Sequence, residues 1–343
     1  MNKNRTNLLL IGALVVLLVV TAGFILGQDA ESIKNPVTRK NYQKSMKNLE
    51  VKNDLQKYGI EVVSSTDFNF NAELAKYIGG NEDLTSLVNS AKPFAFFIKN
   101  NSSKEIVAIS LRWKFIDSKG KNFEIPQTEA NPGVLMGIKP LDPKMVGKTS
   151  LINSKEVKFF TYFNDFIGHK IAFANMRLKN PTVNYPYAGF ENSSSDTSNL
   201  DAQKERILNE YADFSLSIDG IVFNDGTFVG DDQNLFFETL RGDIQARKDI
   251  LTALAEANSK GKSHTNILDD ILSNTSNISV NPAELRTGNA TREQVFDFSY
   301  KTYLKNLGRE LVMKRTRMSD DYIVSQLQSV KVSDFVTLRR LED

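Results

Sequence analysis

The chain has 343 residues, 41% hydrophobic and 24% charged, so it is long enough for about two domains and too apolar for wholesale disorder. Lys and Arg number 43 against 41 Asp and Glu, and the resulting net charge of +2 lacks the basic excess of a general nucleic-acid binder. The absence of cysteine excludes disulfides, thiolate metal sites and cysteine nucleophiles, and two histidines leave little for a multi-histidine metal centre.

The first element is Leu8–Gly27, LLLIGALVVLLVVTAGFILG, with no charged residue between Arg5 and Asp29. Twenty residues at about 1.5 Å rise cover about 30 Å, the thickness of a bilayer's hydrocarbon core. The run predicts a transmembrane helix. Phe24, Ile25 and Leu26 continue it past Gly23, and Gln28-Asp29-Ala30 makes a poor cleavage site, so an uncleaved signal anchor is favoured over a signal peptide. Flanking charges are nearly balanced, Lys3 and Arg5 before the span against Asp29, Glu31, Lys34, Arg39 and Lys40 after it. A head of residues 1–7 is expected to stay inside, which puts the bulk of the chain outside the cytoplasm. It also leaves no cytoplasmic output domain for a signalling subunit. Residues 28–57 read as a stalk, and the basic excess at Arg39, Lys40, Lys44, Lys47, Lys52 and Lys57 suits either a solvated helix or anionic headgroups.

A β-rich region is expected over residues 58–230. Pro93–Lys99 is aromatic and β-prone, and a turn cluster at Asn100–Ser103 follows. In Glu105–Ile116, Val107, Ile109, Leu111, Trp113 and Phe115 alternate with Ala108, Ser110, Arg112 and Lys114, a period-2 pattern with one apolar face. Trp113 on that face reads as a core residue rather than a sugar-stacking platform. Further strands are expected at Asn122–Ile125, Gly147–Ile152, Val157–Tyr162, Lys170–Leu178 and Phe214–Phe223, and Asn192–Asn199 reads as an exposed loop. Short strands with frequent turns predict an antiparallel immunoglobulin-like β-sandwich. The nucleotide-binding patterns GxGxxG and GxxxxGK[ST] do not occur.

In Ile218–Asp232, Asn224-Asp225-Gly226 separates two β-prone runs and predicts a hairpin, and Asp231 or Asp232 suits the N-cap of a following helix. The competing reading is a calcium site at Asp219, Asp225, Asp231 and Asp232, although taking Gly226 as the sixth loop position places Ile221 and Phe223 where an EF-hand needs oxygen ligands. The stretch FNDGTFVGDD, a following helix with Arg247-Lys248-Asp249, and the strand FFIKNNSSKEIVAISLRW together resemble an uncharacterised group of bacterial membrane-anchored or secreted proteins. That resemblance implies an N-terminal hydrophobic segment and an immunoglobulin-like sandwich. It carries no known activity and no functional residue.

Residues 231–343 are expected to be helical. Leu235, Phe236, Leu240, Ile244, Ile250, Leu251 and Leu254 recur near the helical period, Ile267–Leu272 suggests a second helix, Thr291–Arg317 a third, and Ser319 caps a fourth. Arg309, Lys314, Arg315 and Arg317 form a basic cluster that suits a solvated helix end or a phosphate group or acidic partner. His169 and His264 lack a GxSxG elbow and read as surface or capping residues.

The fold class expected is therefore α+β: a transmembrane helix, an antiparallel immunoglobulin-like sandwich and a helical C-terminal region. The expected function is a single-pass, extracytoplasmic binding or scaffold protein without cofactors or nucleic acid, inserted in the bilayer through residues 8–27 and engaging a protein or envelope component. The alternative is an envelope hydrolase using carboxylates around Asp225 and Asp231, with calcium assistance.

Overall fold

A computed structural model describes residues 49–137, 150–163, 197–281 and 290–341, with isolated positions 167, 171, 175 and 178. The apolar run 8–27, the residues before it, the stalk up to residue 48 and His169 lie outside the described residues.

Nine strands form two sheets among the described residues. They are β1 (Glu50–Lys52), β2 (Ile60–Ser64), β3 (Ala95–Asn100), β4 (Ile106–Asp117), β5 (Asn122–Ala130), β6 (Val157–Thr161), β7 (Tyr211–Phe223), β8 (Thr227–Val229) and β9 (Arg339–Arg340). The larger sheet runs β5-β4-β7-β8-β9, with β1 also on β7, and the smaller runs β2-β3-β6. Pairing is antiparallel except at β1–β7 and β8–β9, which are parallel.

The two sheets enclose an aromatic core. From the larger sheet come Trp113, Phe115, Phe214 and Leu216, from the smaller Phe96, Ile98 and Phe160, and from the residue before β3 Phe94. Trp113 is fully buried and its Nε1 donates to Gln127 Oε1 at 2.7 Å. Burying a ring of this size stabilises by about 2–3 kcal/mol.

Helices cover both outer faces. On the smaller sheet, α1 (Phe70–Ile78) and α2 (Glu82–Ala91) pack Phe70, Leu74, Tyr77 and Val88 against Val63, Phe97 and Phe159. A single helical turn, α3 (Pro132–Leu135), follows β5, and α4 (Thr197–Glu210) runs directly into β7. On the larger sheet, α5 (Phe236–Ser259), α6 (His264–Ser276), α7 (Arg292–Arg315) and α8 (Asp320–Gln328) pack Phe237, Leu240, Leu268, Leu311 and Val324 over Val107, Val222 and Phe228. Their starts follow from the sequence: Ser263, Thr291 and Ser319 each accept a backbone N–H, and Thr291 with Gln294 forms a capping box. The chain then returns over α3 and the hairpin, Val336 N donating to the Leu135 carbonyl, before β9 joins β8.

The expected fold class is thus corrected. The sheets are not an antiparallel immunoglobulin-like sandwich: two pairings are parallel, and helices before, within and after the strands flank both sheets. The expected transmembrane helix is not found among the described residues, where no helix is long and apolar enough to cross a membrane. Contacts group Leu49–Asp343 as one unit.

Several local expectations also change. Glu50–Tyr58, expected in the stalk, supplies β1 and a 3-10 turn. The period-2 stripe of β4 is interrupted by a bulge between Ile106 and Ala108, which puts Ile106 into the aromatic core and moves Val107 to the helix side. Where described, the stretch expected as a strand at Lys170–Leu178 is helical, at Ile171, Asn175 and Leu178. Of the expected strand at Gly147–Ile152, Ile152 makes an isolated bridge to Ile106. Thr197–Asn199, expected in a loop, begin α4.

Candidate functional site: a cleft at the end of the sheets

The Asp-Gly segment forms the expected hairpin, Ile221 pairing Val229 and Val222 pairing Phe228. Gly226 has φ +83°, and its N–H donates to the Phe223 carbonyl at 2.9 Å. The four candidate carboxylates around it are drawn to different partners. Asp219, buried on β7, accepts the N–H groups of Gln233 and Asn234 at 3.0 and 2.9 Å. Burial raises its pKa, opposed by those two N–H groups and by Arg112. Asp225 is also partly desolvated, which acts upward, but Lys104 at 2.8 Å and Thr227 hold its carboxyl well below the usual carboxylate range. Arg339 lies 3.3 Å from the same carboxylate.

Asp232 accepts the Phe237 N–H at 3.0 Å and pairs with Arg340. It therefore caps α5 from outside: the cap position itself is Leu235, at φ +53°, whose hydrocarbon side chain has no acceptor to offer. Asp231 is exposed, with Gln233 Nε2 at 3.5 Å. These bonds fasten the loop before α5 to β7 and to the C-terminal segment. Among the described residues no group of three or more His, Asp or Glu is placed to hold a metal ion.

Other residues singled out in the sequence fall on helix ends. His264 is the first residue of α6, its Nδ1 2.6 Å from Asp321 Oδ1 on α8. In the basic cluster, Arg315 pairs with Asp269 at 2.6 Å and Asp320 at 2.7 Å, and Lys314 with Glu310 at 2.5 Å. Arg309 and Arg317 are exposed.

A concave feature that gathers hydrogen-bonding and aromatic groups lies at the β4–β5 end of the larger sheet. It is a cleft of about 190 Å³ lined by Phe115, Ile125, Tyr162, Gln203, Arg206, Ile207, Glu210 and Tyr211. Five elements converge there. Phe115 is near the end of β4, Ile125 lies on β5, and Tyr162 follows the last residue of β6. Glu210 and Tyr211 are the helix-to-strand junction of α4 and β7, and Ile207 seats α4 in the aromatic core.

The floor is rigid. Phe115 meets Tyr162 edge-on at 5.3 Å and Tyr211 at 5.0 Å between ring centroids, and Tyr162 also meets Trp113 at 5.4 Å. Such contacts add about 0.5–1.5 kcal/mol each beyond burial. The Tyr162 phenol has its pKa raised, first by burial and then by Tyr211, with Arg206 acting the other way, so it is protonated at neutral pH. Gln203, Arg206 and Glu210 are exposed on successive turns of α4 and form one rim. Among the described residues neither Arg206 nor Glu210 is engaged in an ion pair. An aromatic floor with charged and amide groups on one side can bind a small ring or a side chain without covalent chemistry.

None of the residues that line this cleft was expected at a site. Their separation explains why: Phe115, Tyr162 and Tyr211 lie on or just beyond three strands far apart in sequence. The charged run of α4, DAQKERILNE, carried a readable helical signal but no indication of what it would face. No family model matches the chain, and neither a curated protein nor a solved structure matches it.

Proposed function

We propose that the chain is a binding or scaffold protein held at a membrane by its apolar N-terminal run, with its folded part outside the cytoplasm and engaging a protein or envelope component. The observation that carries the binding reading is the aromatic-floored cleft between α4 and the ends of β4, β5 and β6. Membrane attachment rests on the sequence Leu8–Gly27, uncharged over a length that suits a bilayer core. The hydrolase alternative needs Asp225 and Asp231 to act together, and Asp225 is already committed to Lys104 and Arg339.

The test is protease accessibility of a C-terminally tagged chain in intact and lysed cells, with a blot for size. Loss of the tag from outside, with an untreated band of full mass in the membrane fraction, supports the reading. A tag protected until lysis overturns it.

A further inference from the structure

We infer that the cleft takes one pyranose ring of a neutral glycan. The inference rests on the cleft being the binding site proposed above. Its size sets the class. A cavity of about 150 Å³ holds benzene, and clefts for drug-sized ligands start at about 300 Å³. At about 190 Å³, this one holds a single substituted six-membered ring.

The lining separates a sugar from an aromatic side chain. A pyranose has an apolar C–H face and a girdle of hydroxyls. The face suits the Phe115, Tyr162 and Tyr211 rings, and the girdle suits the carboxamide of Gln203, the guanidinium of Arg206 and the carboxylate of Glu210. A guanidinium donates and a carboxylate accepts, so neighbouring hydroxyls can satisfy both at once. A phenyl side chain filling the same space would cover the guanidinium and the carboxylate without pairing them, which costs free energy. Arg206 and Glu210 also balance in charge, which favours a neutral ring over a uronate or a phosphorylated sugar. The open side leaves room for neighbouring sugar units of a chain to lie outside.

The experiment is saturation-transfer NMR on the full chain, in a detergent whose headgroup is not a sugar. The probes are methyl β-D-glucopyranoside, methyl N-acetyl-β-D-glucosaminide and N-acetylphenylalanine amide, each at millimolar concentration. Saturation of glycoside ring protons is expected, falling at least about five-fold in Arg206→Ala and Tyr211→Ala, a loss of about 1 kcal/mol in binding. Arg206 is exposed, so Arg206→Ala keeps the wild-type melting temperature and the test does not hang on the folding of Tyr211→Ala. If the phenylalanine amide binds and neither glycoside does, the glycan inference falls while the cleft remains a binding site for protein side chains. If no probe binds, both fall. A glycoside signal that survives both substitutions places the sugar elsewhere and overturns the inference.

Discussion

Arg340, on the last strand, pairs with Asp232, 108 residues earlier in the loop before α5. Its guanidinium lies over the rings of Phe237 at 4.3 Å and Phe228 at 5.2 Å, and Glu238 is 3.6 Å away. Asp232 and Glu238 are both buried, so one guanidinium serves two desolvated carboxylates and holds the returning chain against the hairpin. Removing it leaves Asp232 without its charged partner, whereas Glu238 keeps Arg241 at 2.7 Å, and breaking a buried pair from one side costs about 3–5 kcal/mol. Arg340→Ala is therefore expected to lose about 3 kcal/mol of stability, given the partial exposure of Arg340, and to show a lower urea midpoint. The double variant Asp232→Asn/Arg340→Met should recover part of that loss. A midpoint for Arg340→Ala within error of wild type would show that the terminal strand does not hold the fold.

A second prediction concerns pH. Asp243 on α5 donates nothing when ionised and accepts from Ser299 Oγ on α7 at 2.7 Å. The two helices meet closely here: a Cβ on Gly242 would lie 2.5 Å from the Phe296 carbonyl oxygen. Enclosure pushes the Asp243 pKa up to about 7, against the lowering effect of the Ser299 hydroxyl. A folded value above the unfolded one means that the folded state binds the proton more tightly. The associated stability is complete below about pH 4 and is lost as pH rises through 7. Asp243→Asn removes this dependence, and at pH 8 it should stabilise by about 2 kcal/mol, allowing for partial exposure. Urea midpoints of wild type and variant at pH 5 and pH 8 measure it. Parallel profiles would show that Asp243 is not responsible.

Arg315 gives a pH dependence of the opposite sign. It spans Asp269 on α6 and Asp320 on α8, and its hydrogen bond holds the Asp320 carboxyl down at about 2. A depressed folded value contributes stability above the unfolded pKa, near 4, which is lost as pH falls toward 2. Arg315→Ala should flatten that acid limb, and at neutral pH its effect should shrink in high salt, because exposed pairs are screened. A loss that is insensitive to salt would point to packing of the arginine stem instead.

The parts of this fold legible in the sequence are those set by short-range periodicity. The alternation of Ile109, Leu111, Trp113 and Phe115 marks a strand face, and the apolar stripe of Thr291–Arg317 marks a helix. Phe70, Leu74, Tyr77 and Ile78 also recur at helical spacing before Gly79, so α1 carries a signal of the same short-range kind. The bulge at Ile106–Ala108 carried none, because it depends on how β4 registers with β7. The parallel pairings are equally hidden, since β9 reaches β8 from more than a hundred residues away. The cleft belongs to this second class. Ile125 looks like an exposed strand residue and Tyr211 like the start of a strand until α4 is laid across them.

The last prediction uses the single tryptophan. Trp113 donates to Gln127 Oε1 at 2.7 Å, and Gln127 Nε2 donates to the Thr161 carbonyl on β6 at 3.2 Å. One amide therefore couples the indole to both sheets, and its orientation is fixed by having one donor and one acceptor to satisfy. Trp113→Phe keeps an aromatic ring but leaves Gln127 Oε1 without its donor and opens space against Phe94 and Phe96. The unpaired oxygen alone costs about 1–3 kcal/mol, and the lost ring volume adds to it. Gln127→Leu strands the indole N–H instead and should cost a similar amount. The double variant should cost less than the sum of the two, because the coupling is lost once. Denaturant unfolding followed by circular dichroism suits all four chains. In those that keep Trp113, indole emission should be blue-shifted in the folded state and move to the red as the buried ring is exposed. Strictly additive losses would show that the indole and the amide do not act as a pair.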